Sequence, residues 1–458
     1  MAFLDNTLKV SFLAVSAVCL GIVSFQASPI FDQKPILLAL LPLVLLATLL
    51  LFLQPRLALM SLLVCRPLLD PIFNMTRFNV GEQSISFGAA LNLVIIFLAM
   101  YFLSCYAHRI NFNRFHLAWL VFLLIMLASS FHSEYTGRAL RLFVNFLSYF
   151  AMVLIPSLII KNDKEKEYWL KFIFLSSIPT ILFGNIDIFT NGFIFREDGR
   201  LQGTFSHPNM MAFYSVLMIV VGFLLLYRRA FSKLAAPWIL LYIGNLITIL
   251  ILTQTRTAWI SFLLFFLIYG IFYERKWVMA MVVILPLTFF IPSVFERIVD
   301  LTQGTKVGGD APLNSWTWRV YLWTESWPWI KRNFLFGYGL TSFISLSPLF
   351  FKTARMGHEI GAHNVYIELL FETGIVGCLS FIAIYLTPII QKLRAICVYE
   401  ITKRETIILS AYILSYLVTC ISDNMLYYLT VNWYGWFFIG ILLAPSNRNV
   451  SLQVKRDE

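Results

Sequence analysis

Apolar runs long enough to cross about 30 Å of hydrocarbon recur along this 458-residue chain from its first decade of residues almost to its end. A water-soluble core cannot absorb so many uninterrupted hydrophobic segments. The chain is 59% hydrophobic and only 13% charged, whereas a soluble globule has about a quarter of its residues charged. The pattern predicts an all-α, polytopic membrane bundle over 1–458 with no soluble domain of any size left over. About fourteen spans of roughly 20 residues are predicted near 10–27, 36–54, 57–73, 86–107, 115–131, 142–160, 168–186, 209–227, 236–253, 258–273, 277–292, 365–390, 405–421 and 426–445. The third is irregular, because Arg66, Pro67 and Asp70 interrupt it; a short, broken or re-entrant segment is expected there. The first span is followed at once by a second and lacks a convincing small-residue cleavage site, which makes a signal peptide a poor reading.

Lys and Arg in short loops accumulate on the cytoplasmic side. The connections at Arg109 and Arg114, Lys161 to Lys166, Arg228 to Lys233, Arg275-Lys276 and Lys392 to Arg404 are basic, as is a tail over 446–458 with Arg448, Lys455 and Arg456. Both termini are therefore predicted inside, on the cytoplasmic side. The outer face receives the loop near 187–208, a short turn at Thr253–Thr257 and one long excursion over 293–364. Topology and attraction to anionic lipid account for much of the +11 net charge without nucleic acid.

Six scattered cysteines (Cys19, Cys65, Cys105, Cys378, Cys397, Cys420) form no Cys-x-x-Cys, so neither a disulfide framework nor a zinc site is expected. A phosphate-binding Gly-x-x-x-x-Gly-Lys loop, a Gly-x-Ser-x-Gly elbow and a His-Glu-x-x-His pair are all missing from the sequence, which argues against ATP hydrolysis, serine hydrolysis and zinc proteolysis. No cofactor is expected.

The 293–364 excursion mixes a polar, glycine-containing stretch, 303–310, with Trp316, Trp318, Trp323, Trp327 and Trp329. Tryptophan favours the membrane interface, so the segment reads as interfacial helices forming a lid over the helix bundle. Around it, charged residues fall at the outer mouths of apolar helices: Arg200, Arg256 and His363. A guanidinium at the hydrocarbon edge is costly unless paired, hydrated or anion-bound. These three point to a site for a phosphate-bearing lipid.

In order along the chain stand Arg200-Leu-Gln-Gly-Thr-Phe-Ser-His-Pro-Asn209, Thr255-Arg-Thr-Ala-Trp259, Trp318-Arg-Val-Tyr-Leu-Trp323 with Gly337-Tyr-Gly339, and His363-Asn364 followed by Gly374-Ile-Val-Gly377. This series resembles the bacterial O-antigen ligase and Wzy-type polysaccharide polymerase superfamily over about 190–380, and in topology over the whole chain. Arg66-Pro-Leu-Leu-Asp70 is also similar to that group. The resemblance implies a GT-C-like, inverting, metal-independent glycosyltransferase that moves a glycan from undecaprenyl diphosphate to a sugar hydroxyl on the periplasmic side. Its implied partners are the lipid-linked oligosaccharide, a glycan or lipid A-core acceptor, the bilayer, and a chain-length regulator and flippase.

The residue types suit that chemistry. An arginine fork grips phosphate oxygens through paired charge-assisted hydrogen bonds and never loses its charge; Arg256, with Thr253, Thr255 and Thr257 around it, is the first choice for the diphosphate and Arg200 the second. The attacking hydroxyl needs a base, and His363 has an ordinary pKa near 6.5. Its place just before a helix, together with two neighbouring arginines, should keep the ring neutral. Arg319 is assigned to gating or to glycan phosphate or carboxylate groups, and Asn364, Thr255, Thr257, Arg66 and Glu368 to substrate contact.

Duller readings compete. Arg256 reads equally as an interfacial snorkelling side chain; Arg200 as an ion-pair partner in a loop with Arg196, Glu197 and Asp198; His207 as a turn or cap residue beside Pro208; His358 as a loop histidine. Arg66 and Asp70 sit at helical spacing and should pair inside the bundle. Glu368 and Glu372 either meet the acceptor or balance the arginines. The Gly-Tyr-Gly-x-x-x-Phe turn and Ala362-His-Asn364 favour a polymerase joining repeat units over a ligase serving lipid A-core, and nothing marks a pilin acceptor for a protein O-oligosaccharyltransferase. A lipid-linked oligosaccharide flippase is the rival of a different class; paired internal repeats would favour it, and none is visible.

Overall fold

The computed structural model describes residues 53–70, 77–80, 83–191, 199–288, 314–352, 359–396 and 403–444, with a few isolated positions between 289 and 300. Helices α1 (Pro55–Leu68), α2 (Phe87–Tyr106), α3 (Arg114–His132), α4 (Thr136–Ile159), α5 (Asp163–Leu175), α6 (Ile178–Asn191), α7 (Pro208–Tyr227), α8 (Ala236–Leu252), α9 (Arg256–Phe272) and α10 (Lys276–Thr288) precede the lid. The lid carries α11 (Thr317–Arg332) and α12 (Ser342–Phe350), and α13 (Val365–Ile396), α14 (Lys403–Thr419) and α15 (Leu429–Leu443) complete the bundle. Among the described residues, six helical stretches are long and apolar enough to cross a membrane: Ala90–Arg109, Arg114–His132, Thr136–Ile159, Asp163–Thr190, Pro208–Tyr227 and Val365–Arg394. They coincide with predicted spans, and α8, α9 and α15 are shorter apolar helices. The predicted spans at 10–27 and nearly all of 36–54, the 303–310 stretch, His358 and the 446–458 tail lie outside the described residues. The protein is an integral membrane helical protein.

Three expectations need revision. The chain is not purely α-helical: Arg77–Val80 (β1) pairs antiparallel with Gln83–Ser86 (β2), Val80 opposite Gln83. Strands of four residues carry too little alternation to stand out between apolar runs, although the Gly81-Glu82 pair between them is of the kind two-residue hairpin loops use. The span at 168–186 belongs to two helices, α5 and α6, with Ser176 and Ser177 at the break. Their hydroxyls turn back to the Ile173 and Phe174 carbonyls and also meet Tyr434 and Tyr242. The span at 365–390 is bent at Gly374, whose φ is +64°.

Helices α7 and α15 are buried on all sides, as befits a helix that is apolar all round. Helix α15 packs on α4, α4 on α2, α13 on α3, α9 on α14 and α7 on α8. Lipid supplies no hydrophobic drive for helix association, so interhelical hydrogen bonds and close packing matter more. Tyr416 donates to Asn432 at 2.7 Å and Trp433 to Ser148 at 2.9 Å. Inside the same bundle Arg66 meets Asp70 at 3.3 Å, 2% and 0% exposed respectively, and Asp70 also accepts from Ser206 and Thr430. Arg66 is thus held as an internal ion-pair partner.

The five basic connections gather at one end of the bundle. Arg109 donates to the Leu158 carbonyl, Arg228 contacts Glu405 and Arg404 contacts Glu274 at 2.9 Å. The lid and the mouths of α7, α9, α13 and α15 occupy the other end. A small separate core of Leu322, Ile330, Phe343, Phe350, Phe351, Ala362 and Phe371 holds the lid together and joins it to α13.

Candidate functional site

Helix α7 starts at His207-Pro-Asn209: Pro208 fills the first position, where a missing N–H costs nothing, and the His207 Nδ1 accepts from the Asn209 amide at 3.1 Å. The cap role expected of His207 is therefore met. The turn between α8 and α9 is tight, with Gln254 at a positive φ of 50°. Thr255 occupies the N-cap of α9 without capping it. Its hydroxyl instead accepts from Arg200 at 2.9 Å and faces the Asn209 amide oxygen at 3.2 Å.

Arg200 is thereby locked across two helix mouths, donating to the Thr253 carbonyl at 3.0 Å and to Asn209 Oδ1 at 2.8 Å. Asn209 passes the contact on: its Nδ2 donates to Asp423 Oδ2 at 2.8 Å. Thr257 donates to the same oxygen at 3.2 Å, and Tyr428 to Oδ1 at 2.6 Å. Asp423 is 1% exposed, and a buried carboxylate persists only when its oxygens are satisfied in this way. Burial and the neighbouring carboxylate push the Tyr428 phenol well above its ordinary value, so it remains a donor.

Arg319, on the lid helix α11, reaches down to the Ser422 carbonyl at 3.0 Å. Burial lowers its pKa from the ordinary arginine value, the charge of Asp423 opposes that fall, and Arg256 reinforces it; a guanidinium nonetheless stays charged. Arg256 donates to Ser315 Oγ at 2.6 Å, one residue after Asn314, whose side chain accepts from the first amides of α11. The hydroxyl shell expected around Arg256 belongs elsewhere. Thr253 turns to the Leu250 carbonyl, Thr255 to Arg200 and Asn209, and Thr257 to Asp423. Consecutive residues at a helix start point in different directions, and spacing alone does not show which hydroxyl faces which guanidinium.

His363 ends the lid with φ +48°, in the left-handed region that is uncommon for residues other than glycine and typical of strained functional positions. Its ring meets Trp318 edge to face at 5.3 Å between centroids, and the next turn is fixed by Trp323 donating to the Ala362 carbonyl at 2.7 Å. Its Nδ1 is buried with no hydrogen-bond partner among the described residues. Burial first, then the charges of Arg319 and His207, lower the His363 pKa to about 4. The lowered pKa has the direction expected from sequence, with Arg319 as the cationic neighbour in place of Arg200 or Arg256. Asn364 is the N-cap of α13, its oxygen accepting from Tyr366 and Ile367 at 2.9 and 3.1 Å. Glu368 is hydrogen-bonded to Tyr427 and to the Ala362 backbone.

The downstream glycines have a mechanical role. At Gly374 the chain leaves helical φ/ψ, and a Cβ there would lie 2.2 Å from the Leu335 carbonyl carbon. The Gly337-Tyr-Gly339 turn docks on this bend: Tyr338 donates to the Phe371 carbonyl at 2.9 Å, Gly339 to Glu372 at 2.8 Å, and Ile375 to Phe334 at 2.8 Å. The Glu372 carboxylate accepts from the Phe343 amide at 3.2 Å, clamping the start of α12. Lid and bundle are joined by backbone contact just below His363.

Hydrogen bonds thus link Arg200, Asn209 and Asp423 at one end of the bundle, and Arg319 lies within electrostatic reach of Asp423, His363 and Arg256. Asp423, Asn209 and Tyr428 were not among the residues singled out from sequence. The polar triplet Ser422-Asp-Asn424, between the last two apolar runs, was the available signal.

Residues 241–382 match the family model described as O-antigen ligase. The matched segment contains Arg256, Arg319, His363 and Gly374. The chain is also similar to the ComP-specific O-oligosaccharyltransferase of Acinetobacter baylyi, at 23% identity over 219 residues, 46% of this chain and 39% of that protein. The similarity spans well under half of that relative's length.

Proposed function

We propose that this protein is an inner-membrane glycosyltransferase that takes a glycan from undecaprenyl diphosphate, with the His363 end of the bundle facing the periplasm, and polymerises repeat units of an exopolysaccharide or O-antigen. Arg256 and Arg200 receive the diphosphate, where charge grows as the bond from the anomeric carbon to the phosphate oxygen breaks. Fixed donors aimed at developing charge are usually the largest catalytic contribution. The acceptor hydroxyl oxygen forms the new bond to the anomeric carbon from the opposite face, with inversion, and its proton passes to the His363 imidazole. Asp423 keeps Asn209 and Arg319 in place, and Arg319 approaches the glycan from the lid.

The observation that carries this reading is the gathering of Arg200, Arg256, Arg319 and a half-buried His363 near the buried Asp423 at one end of the bundle, with the docked lid beside them. The surplus of cationic charge suits a diphosphate, and one-sided clustering suits an enzyme better than a carrier with alternating access. The family description and the relative's name favour a second reading, in which a finished glycan passes in one step to lipid A-core or to a protein hydroxyl.

The test is purified full-length protein with a lipid-linked repeat unit in detergent, without a membrane gradient and with EDTA present. A ladder of lengthened lipid-linked products supports the polymerase, and transfer only when lipid A-core or a protein acceptor is added supports the second reading. A flippase gives no covalent product, and that outcome would overturn both.

A further inference from the structure

The end of the bundle away from His363 holds two ammonium groups that the fold does not neutralise. Lys166, in the second turn of α5, is 2% exposed, and Lys392, near the C-terminal end of α13, is half-buried. Neither has a hydrogen-bond or ion-pair partner among the described residues. Each lies within electrostatic reach of Arg228, Glu405 and Asp163, and the two lysines of each other. Glu405 is already in contact with Arg228. The adjacent Arg404 is likewise committed, to Glu274 and to the rings of Tyr227 and Tyr273. Three cations therefore face Glu405, which Arg228 engages, and Asp163, which has interactions of its own.

Burying an ammonium without a partner is costly, more so beside a second one, and here the cost falls mainly on the buried Lys166 side chain. Such a group either gives up its proton or recruits an anion. The helix ends act in both directions: α5 and α14 begin here, with Asp163, Glu165 and Glu405 in their first turns, and α7 and α13 end here beside Arg228 and Lys392, so the amides of the first pair favour an added anion while the carbonyls of the second favour the cations. The location at the ends of apolar helices is where basic pockets take phosphate headgroups.

We propose that Lys166, Lys392 and Arg228 form a phosphate-binding site at this surface, whose occupant is the anionic headgroup of a membrane phospholipid or a soluble phosphate of the same chemistry. The site is independent of the glycan-transfer reading. About 40–50 Å of helix, at 1.5 Å per residue, separates the two ends of the 32-residue α13.

The test uses purified full-length protein in neutral detergent. Its Tm and the lipid it retains in native mass spectrometry are followed while phosphatidylglycerol, phosphatidylcholine or inorganic phosphate is added. A saturable rise in Tm with phosphatidylglycerol and not with phosphatidylcholine is expected. At roughly 1 kcal/mol per lysine, the Lys166→Gln/Lys392→Gln double variant should bind about 30-fold more weakly, and Lys166→Arg should keep the response. If inorganic phosphate reproduces the rise, the occupant is the soluble anion; if only the lipid does, it is the headgroup. Should the double variant fail to fold, Lys392→Gln alone is expected to weaken binding about fivefold. An unchanged response in these variants, the result also expected if Lys166 is held neutral, overturns the proposal.

Discussion

Asn209 hands a hydrogen bond to Asp423 at 2.8 Å while its amide oxygen accepts one from Arg200 at the same distance. One short side chain thus joins a cation contributed by a loop to a carboxylate more than 200 residues further along the chain. Arg200 reaches the rest of the cluster through this amide, and the next partners of Asp423 are Thr257 and Tyr428.

Removing that link should misplace Arg200 without unfolding the bundle. Asn209→Leu is expected to lower turnover about 100-fold, the usual penalty for a displacement near 1 Å at a reacting centre. Asn209→Asp is expected to be damaging too, since it sets a second carboxylate against Asp423. Rates with a lipid-linked donor, alongside elution as a monodisperse peak, check both.

The sign of the pH dependence follows from His363. Its pKa in the free protein is lowered from an ordinary 6.5 to about 4, so the ring is neutral and able to accept a proton above about pH 4 and loses that ability as pH falls through 4. The acid limb of kcat/KM, which reports the free enzyme, should therefore lie near pH 4 and not near 6.5. A bound diphosphate opposes the charge of Arg319, so the limb in kcat should sit at higher pH. A pH–rate profile with saturating and limiting donor separates the two.

Arg66 and Asp70 can be tested by pairing. Arg66→Met leaves a buried carboxylate uncompensated and should cost about 3–5 kcal/mol, seen as a lower Tm. Arg66→Met/Asp70→Leu should recover most of that stability and, if Arg66 has no contact with substrate, most of the turnover. Recovered stability with absent turnover would restore Arg66 to the site.

Gly374→Ala forces a side chain into a positive φ and against the Leu335 backbone. The left-handed conformation alone costs roughly 1–2 kcal/mol, and relief of the overlap requires undocking of the 333–341 turn. Faster proteolysis within 333–341 and loss of turnover are expected, whereas Gly244→Ala, where a Cβ meets nothing within 4 Å, should be neutral.

Much of this was legible from the chain. Apolar runs marked the membrane helices, basic loops marked the end at which Arg109, Arg228 and Arg404 now gather, and helix mouths marked Arg200, Arg256 and His363. What escaped was pairwise. Asp423 is one acidic residue in a short connection, and its partners Asn209 and Thr257 come from helices distant in sequence. The threonines were attached to Arg256 by adjacency, although Thr255 faces Arg200. Gly374 was seen as part of a spacing; its reason is a backbone contact with a loop some 40 residues earlier.

The central claim is that His363 takes the acceptor proton while the arginines hold the diphosphate. The most direct measurement compares donor binding with turnover in His363→Ala, in reconstituted full-length protein. Donor affinity within a few-fold of the parent, with turnover reduced by about 10²–10⁴, is the expected result. Turnover close to the parent's would contradict the claim.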